Sequence, residues 1–131
     1  MSVGGRAFGL TMVSLAATLS AVFESLLVPL YLGSTIFPVT IAITVLGNLC
    51  WPRMARQFVD NIPASALPIL LWTVVVLGAS QPGPGGDVIL PGGSIAWVSY
   101  SVMLGGLAAG VLAVMRAEVV AGRQPERQRA L

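Results

Sequence analysis

Four long runs of apolar residues make up most of the chain, and short polar or glycine- and proline-rich segments separate them. The runs cover about 7–28, 34–51, 63–80 and 94–115. Because a helix needs about 20 apolar residues to cross the hydrocarbon core of a bilayer, each run is close to the length of one span. The pattern predicts an all-α integral membrane protein, a four-helix bundle with short loops. Residues 116–131 are predicted to form an arginine-rich cytoplasmic tail without ordered structure.

Prolines and small polar residues mark the predicted helix ends. Pro29 follows the first run, Ser34 and Thr35 can cap the second, and Pro52 ends it. Between the second and third runs, apolar residues recur every four positions at Met54, Phe58 and Ile62, with polar residues between them. This spacing predicts a short helix lying in the membrane interface.

The positions of the basic residues predict the orientation. All seven are arginines, and positively charged residues near a span are retained on the cytoplasmic side. The three regions that carry them share one side of a four-span protein, so both termini are expected in the cytoplasm and the chain in the inner (plasma) membrane as a multi-pass protein. The arginines are Arg6 before the first run, Arg53 and Arg56 between the second and third, and Arg116, Arg123, Arg127 and Arg129 after the fourth.

A cleaved signal peptide over residues 1–21 is the alternative interpretation of the first run, because Arg6 followed by apolar residues resembles one. Cleavage after Ala21 would place Leu19 where a small residue is required, and the apolar run continues to Leu32. The sequence therefore favours a retained first helix.

Composition limits the chemistry that the chain can perform. Apolar residues account for 56% of the chain and charged residues for only 9%, against about a quarter in soluble domains. Histidine and lysine are absent, which removes the commonest general base and every Schiff-base mechanism. The single cysteine, Cys50, has no partner for a disulfide or a metal cluster. We expect a non-enzymatic protein with no cofactor, no metal and no nucleic acid partner.

The first and fourth runs each carry a face of small residues at helical spacing. Small residues let helix backbones approach closely within lipid, so these faces are predicted to pack inside the bundle or against a partner. Gly106 and Gly110 form a GxxxG pair, while the bulky residues on the opposite sides are expected to meet lipid. The predicted packing or partner-contact residues are Gly9, Ala16, Ser20, Ser99, Gly106, Gly110 and Ala113.

Glu24 is the only acidic residue within a predicted span, and acids in membrane helices are costly enough to mark functional sites. Its position places it on the small-residue face of the first helix, where a transporter could exchange a proton for a cationic substrate. The structural alternative is a carboxylate near the outer headgroups that finds water or a donor. Asn48 and Cys50 are more simply explained by hydrogen bonding and packing between helices.

Between Gly78 and Gly110, an outer loop that reads Pro-Gly-Gly-Asp-Val-Ile-Leu-Pro over residues 84–91 leads into an aromatic and glycine-rich last helix. These residues resemble small four-helix membrane proteins of actinobacteria without assigned activity. Among these the chain is similar to the LucB-type accessory subunit of mycobacterial Mce lipid-import complexes. This resemblance implies a partner complex, including the Mce transporter permease subunits, and no catalytic residues. Four spans with Glu24 in the first also resemble the small multidrug resistance transporters, whose glutamate lies deeper in its span.

The sequence favours a non-enzymatic accessory subunit that helps to assemble or stabilise a larger membrane complex, such as an Mce-type lipid or fatty-acid import ABC transporter. The alternative is a small proton-coupled transporter, like the multidrug resistance proteins, that acts as a dimer through Glu24.

Overall fold

The structure, a computed structural model, describes residues 2–32, 35–36 and 38–130, and it is almost entirely helical. A 3₁₀ turn at Gly93–Ile95 precedes the last helix. The elements are α1 (Val3–Leu27), β1 (Tyr31–Leu32), β2 (Thr35–Ile36), α2 (Val39–Ala55), α3 (Ile62–Ser65), α4 (Leu67–Ala79) and α5 (Ala96–Ala130).

The four longer helices pack side by side. Helix α2 lies against α5 and α1, and α1 also packs along α4, which contacts α2 and α5. The start of α1 meets the segment after α2, where Arg6 Nη1 lies 3.4 Å from Asp60 Oδ2. We call this the arginine end. The opposite end, where Val28, Ala79 and Leu90 share one apolar cluster, we call the loop end.

Helices α1 and α5 direct their bulky side chains outwards and their small ones inwards. Gly9 and Val13 on α1, and Val102 and Gly106 on α5, are buried. The exposed residues are the bulky ones that the sequence assigned to the lipid-facing sides: Phe8, Met12, Leu15, Leu19, Val22, Phe23 and Leu26 on α1, and Trp97, Tyr100, Leu104, Leu107, Val111 and Met115 on α5.

In the part of the chain that the structure describes, two helices are long and apolar enough to cross a membrane, Val3–Leu27 and Gly93–Arg116. The two shorter apolar helices, Val39–Ala55 and Leu67–Ala79, also expose large apolar side chains, among them Leu46 on α2 and Val74 on α4. An apolar outer surface of this kind is typical of a protein whose solvent is lipid.

Local capping moves the first two helices away from their predicted bounds. Helix α1 begins at Val3 because the Ser2 hydroxyl accepts a hydrogen bond from the Gly5 N–H at 3.1 Å. Helix α2 begins only at Val39, after Pro38, since β2, which pairs antiparallel with β1, occupies residues predicted to be helical. Ser34, the predicted cap, lies outside the described residues.

The predicted interfacial helix is wrong. Helix α2 continues through Pro52 to Ala55, and turns lead to α3, where the Asn61 side chain accepts from the Ala64 N–H at 2.8 Å. The Phe58 ring packs directly over Gly9 of α1, and a side chain at Gly9 would collide with it. The predicted third helix is also divided, into α3 and α4.

The tail prediction also differs from the structure. Residues 116–130 continue α5 as one helix to Ala130, so the segment expected to be unstructured is helical in the structure.

The loop 81–93 closes the loop end of the bundle. The Gly83 N–H donates to the Asp87 carbonyl at 2.7 Å, which makes a tight turn that includes Gly86 at φ +82°. The residues after this turn fold back, and the Leu90 N–H donates to the Ala79 carbonyl at 3.0 Å. Leu90 is only 4% exposed, so this loop inserts one large apolar side chain into the bundle core.

Candidate functional site

Glu24 lies inside the bundle and is 1% exposed. It lies in the last turn of α1, so it is nearer to the loop end than to the arginine end. A carboxylate removed from water in this way needs hydrogen-bond donors, because an unpaired buried acid costs several kcal/mol.

Three helices supply those donors. The Trp72 indole N–H of α4 donates to Glu24 Oε2 at 2.8 Å, and the Thr44 hydroxyl of α2 donates to the same oxygen at 2.9 Å. The Ser20 hydroxyl, one turn earlier on α1, donates to Oε1. The carboxylate therefore joins α1 to both α2 and α4, and its hydrogen bonds reach residues 20 and 48 positions away in the chain.

The donors around Glu24 are neutral. Within the described residues, the ion pair between Arg6 and Asp60 lies at the arginine end, with the Asp60 side chain 87% exposed. Glu24 thus sits among hydroxyl and indole groups in an apolar interior that includes Trp72 and Val76. A carboxylate without a basic partner can bind a proton or a cation, which is the chemistry of an exchange site.

Helix α2 contributes a buried polar stripe beside the carboxylate. Thr40, Thr44 and Asn48 follow one another at intervals of four residues, and each is 0% exposed. The Asn48 side-chain amide donates to the Gly106 carbonyl of α5 at 2.9 Å, which confirms its predicted role in helix–helix hydrogen bonding. Thr40 Oγ1 and Asn48 Oδ1 have no hydrogen-bond partner among the described residues.

A second indole approaches the site from the arginine end. The Nε1 atom of Trp51 is buried and has no hydrogen-bond partner in the described part of the chain. It lies beside Gly47: a methyl group built there would be 3.5 Å from Trp51 Nε1, 3.7 Å from Glu24 Oε1 and 3.9 Å from Ser20 Oγ. Polar atoms of three residues therefore surround the open side of one glycine.

Most of the small residues predicted as packing or partner contacts lie inside the bundle. A side chain at Gly106 would meet Trp72 and Thr44, and one at Gly110 would meet Ile69 of α4. Ser99 is buried and donates to the Pro91 carbonyl at 2.7 Å, which fastens the loop to α5. Gly9 and Ala113 are also buried, whereas Ala16 and Ser20 are half-buried, and Cys50 is exposed instead of packed.

The sequence identified Glu24 but missed its partners. Trp72 and Thr44 were not singled out, because their distance from Glu24 in sequence hides their contact with it. One signal was available: Thr40, Thr44 and Asn48 form a polar stripe on an otherwise apolar helix, and such a stripe faces protein in a membrane bundle. The described residues contain no cluster of three or more acidic, histidine or cysteine side chains that could hold a metal ion.

Comparison with known proteins gives no relative for this chain: no family model, no curated protein and no solved structure matches it.

Proposed function

We propose that this protein is a four-span membrane transporter in which Glu24 binds a proton and exchanges it for a cation. The observation that carries the proposal is the position of Glu24, a carboxylate 1% exposed at the contact of three helices and without a basic partner in the described residues. An acidic side chain within a membrane helix is rare and costly, so such residues usually serve a function.

The four-span arrangement is supported by how the helices pack. Helices α1 and α5 are each long enough to cross the bilayer, and α2 and α4 lie alongside them with apolar outer faces. Helix α2 is 17 residues long, about 25 Å at 1.5 Å per residue, which is close to the hydrocarbon thickness of about 30 Å. Helices α3 and α4 together cover a similar length.

The proposed orientation follows from charge. The arginine end carries Arg6, Arg53 and Arg56, while the loop between α4 and α5 has no basic residue. By the positive-inside rule, the arginine end and both termini face the cytoplasm of the cell that has this protein in its inner membrane. Glu24 then lies in the outer half of the membrane, beneath the cap formed by Leu90.

Glu24→Gln tests the transporter proposal. Glutamine preserves the shape of the side chain. With its amide oxygen in the place of Oε2 it can still accept from Trp72 and Thr44, while the Ser20 hydroxyl can turn to accept from the amide nitrogen. The variant should therefore fold but should be unable to carry a proton. In proteoliposomes with an acidic interior, we expect uptake of ethidium, a fluorescent organic cation, to fall to the level of protein-free liposomes.

Asp87→Asn is the matched control, because it removes a carboxylate from an exposed loop residue. Its ethidium uptake should equal that of the wild type. Uptake by Glu24→Gln at the wild-type rate, with the same elution volume in size-exclusion chromatography, would reject Glu24 as the exchange site.

A second candidate function is an accessory subunit of a larger membrane complex, such as a lipid importer of the Mce type. The observation in its favour is α5, which continues as a helix for 14 residues past Arg116 and so provides an element outside the bundle for a partner to bind. The small-residue faces support this function less, because Gly106 and Gly110 contact α2 and α4 of the same chain.

Purification of the tagged full-length protein from its native membranes in mild detergent separates the two functions. An accessory subunit should be recovered with stoichiometric amounts of permease and ATPase subunits, identified by mass spectrometry, and the complex should be lost when residues 117–131 are deleted. Recovery of this chain alone, as a monomer or a dimer, would favour the transporter and argue against the accessory role.

A further inference from the structure

The space over Gly47 is bordered by polar atoms of three other residues. A glycine in the middle of a helix costs about 0.5–1 kcal/mol relative to alanine, so its presence in α2 calls for a local reason. Packing does not supply one: a methyl group at Gly47 would make only ordinary van der Waals contacts, at 3.5 Å or more. The neighbours that it would contact are the Trp51 indole nitrogen, a Glu24 carboxylate oxygen and the Ser20 hydroxyl.

The hydrogen-bonding capacities of these neighbours are complementary to those of water. Trp51 Nε1 is a donor with no partner in the described residues, and it is buried. Glu24 Oε1 and Ser20 Oγ both have lone pairs, so both can accept. A water molecule accepts one hydrogen bond and donates two, whereas a metal cation cannot accept the hydrogen of an indole. Buried polar atoms in proteins are commonly satisfied by such waters, which make about three hydrogen bonds.

We propose that a water molecule binds over Gly47, accepts a hydrogen bond from Trp51 and donates to Glu24 and Ser20. Gly47 leaves the space for it, because any larger residue would place carbon where the water oxygen belongs.

The position of this water relative to the carboxylate gives it a role in transport, a step that rests on the proposed function. Helix α1 runs from the arginine end to the loop end, and Ser20 precedes Glu24 by one turn. Gly47 and Trp51 likewise lie on the arginine side of Thr44. On the other side, Leu90, Val28 and Val98 close the loop end with apolar groups. The water is therefore the group through which Glu24 exchanges protons with the arginine end.

The proton transfer balances without any other reactant. A proton arriving from the arginine end binds to the water oxygen, and the water passes one of its other protons to the Glu24 carboxylate. The carboxylate becomes a carboxylic acid, and the relay is again a neutral water. The reverse transfer returns the proton to the arginine end.

Gly47→Ala tests the water site with little perturbation of packing. Gly105→Ala is the matched control, because its added methyl group would also lie 3.5 Å from its nearest neighbour, but that neighbour is the apolar Val45 Cγ2. Both variants should keep or slightly increase the free energy of unfolding, since alanine is the better helix former. Any difference between the two variants in the hydration of Trp51 or in ethidium uptake then results from the polar site over Gly47.

The direct measurement is nuclear magnetic resonance of the tryptophan indole groups in lipid nanodiscs. The chain has three tryptophans, so a separate Trp→Phe variant of each one assigns its indole N–H signal. We expect a cross-relaxation peak between water and the Trp51 indole N–H in the wild type and in Gly105→Ala, and its loss in Gly47→Ala. Absence of the peak from the wild type, or its persistence in Gly47→Ala, would overturn the water site.

Ethidium uptake in proteoliposomes tests the relay separately. We expect uptake by Gly47→Ala to be slower than that of Gly105→Ala by about tenfold or more, because proton transfer loses its positioned partner. Loss of the water peak with uptake unchanged would overturn the relay while leaving the water site in place. If Glu24→Gln also transports at the wild-type rate, the proposed function itself fails, and the indole measurement still decides whether water binds over Gly47.

Discussion

Gly106→Ala is expected to destabilise the bundle, although it adds only one methyl group. That group would lie 2.6 Å from Thr44 Cγ2 and would also overlap the ring of Trp72. Both neighbours are buried and held by hydrogen bonds to Glu24, so neither can move without breaking one of those bonds. Overpacking of this kind costs about 1–3 kcal/mol in the free energy of unfolding.

The adjacent glycine supplies the control for this experiment. Gly105→Ala makes the same chemical change one position earlier on α5, yet its methyl group would meet Val45 only at an ordinary van der Waals distance of 3.5 Å. We expect it to leave stability unchanged or to raise it by up to about 1 kcal/mol through helix propensity. Unfolding by sodium dodecyl sulfate in mixed micelles, followed by circular dichroism, measures both. Equal stabilities for the two variants would contradict the close packing of α5 against α2 and α4.

The sequence predicts which faces of α1 and α5 are buried in the bundle and which are exposed. Residue size decides these faces within lipid, because glycine, alanine and serine permit close backbone contact and leucine, phenylalanine and methionine do not. Residue size therefore predicts that Phe8 and Leu104 lie outside and Gly106 inside. All three have these positions in the structure.

Other parts of the fold depend on long-range contacts that no local pattern contains. Leu90 follows a glycine-rich turn in an exposed loop, and its burial is explained only by the apolar cluster that it forms with residues such as Val98 and Trp72. Phe58 has the spacing of an interfacial helix but packs on Gly9, which lies 49 positions earlier in the chain. A periodicity of four residues indicates which positions share a face and not what covers that face.

The candidate site illustrates the same limit. Glu24 can be identified from the sequence because a lone acid in an apolar run is rare and costly. Its donors cannot, since serine, threonine and tryptophan are ordinary residues of membrane helices. Only the packing of α1 against both α2 and α4 brings Thr44 and Trp72 to the same carboxylate oxygen. The site is therefore a property of the bundle and not of α1 alone.

Trp72→Ala should have the largest effect of any single truncation in this protein. Trp72 is 1% exposed, is among the largest fully buried side chains of the described residues and belongs to the core cluster with Val76 and Val102. Removing its ring leaves a cavity and also leaves Glu24 without its indole donor. Truncations of buried tryptophan cost about 3–5 kcal/mol, and the loss of a hydrogen bond to a charged group costs about 1.5–3 kcal/mol, although the two are not additive.

Two further variants separate packing from hydrogen bonding at this position. Trp97→Ala removes the same side chain from a residue that is 49% exposed on the outer face of α5, and we expect it to cost less than about 1 kcal/mol in the free energy of unfolding.

Trp72→Phe retains most of the apolar volume but lacks the N–H group that donates to Glu24 Oε2. If that hydrogen bond holds the carboxylate in place, the stability of Trp72→Phe should fall between those of the wild type and Trp72→Ala. Its ethidium uptake should fall as well, because the carboxylate loses a fixed position. Equal stability of Trp72→Ala and Trp97→Ala would mean that α4 does not bury Trp72 against α5, and the carboxylate centre at Glu24 would then lack its principal donor.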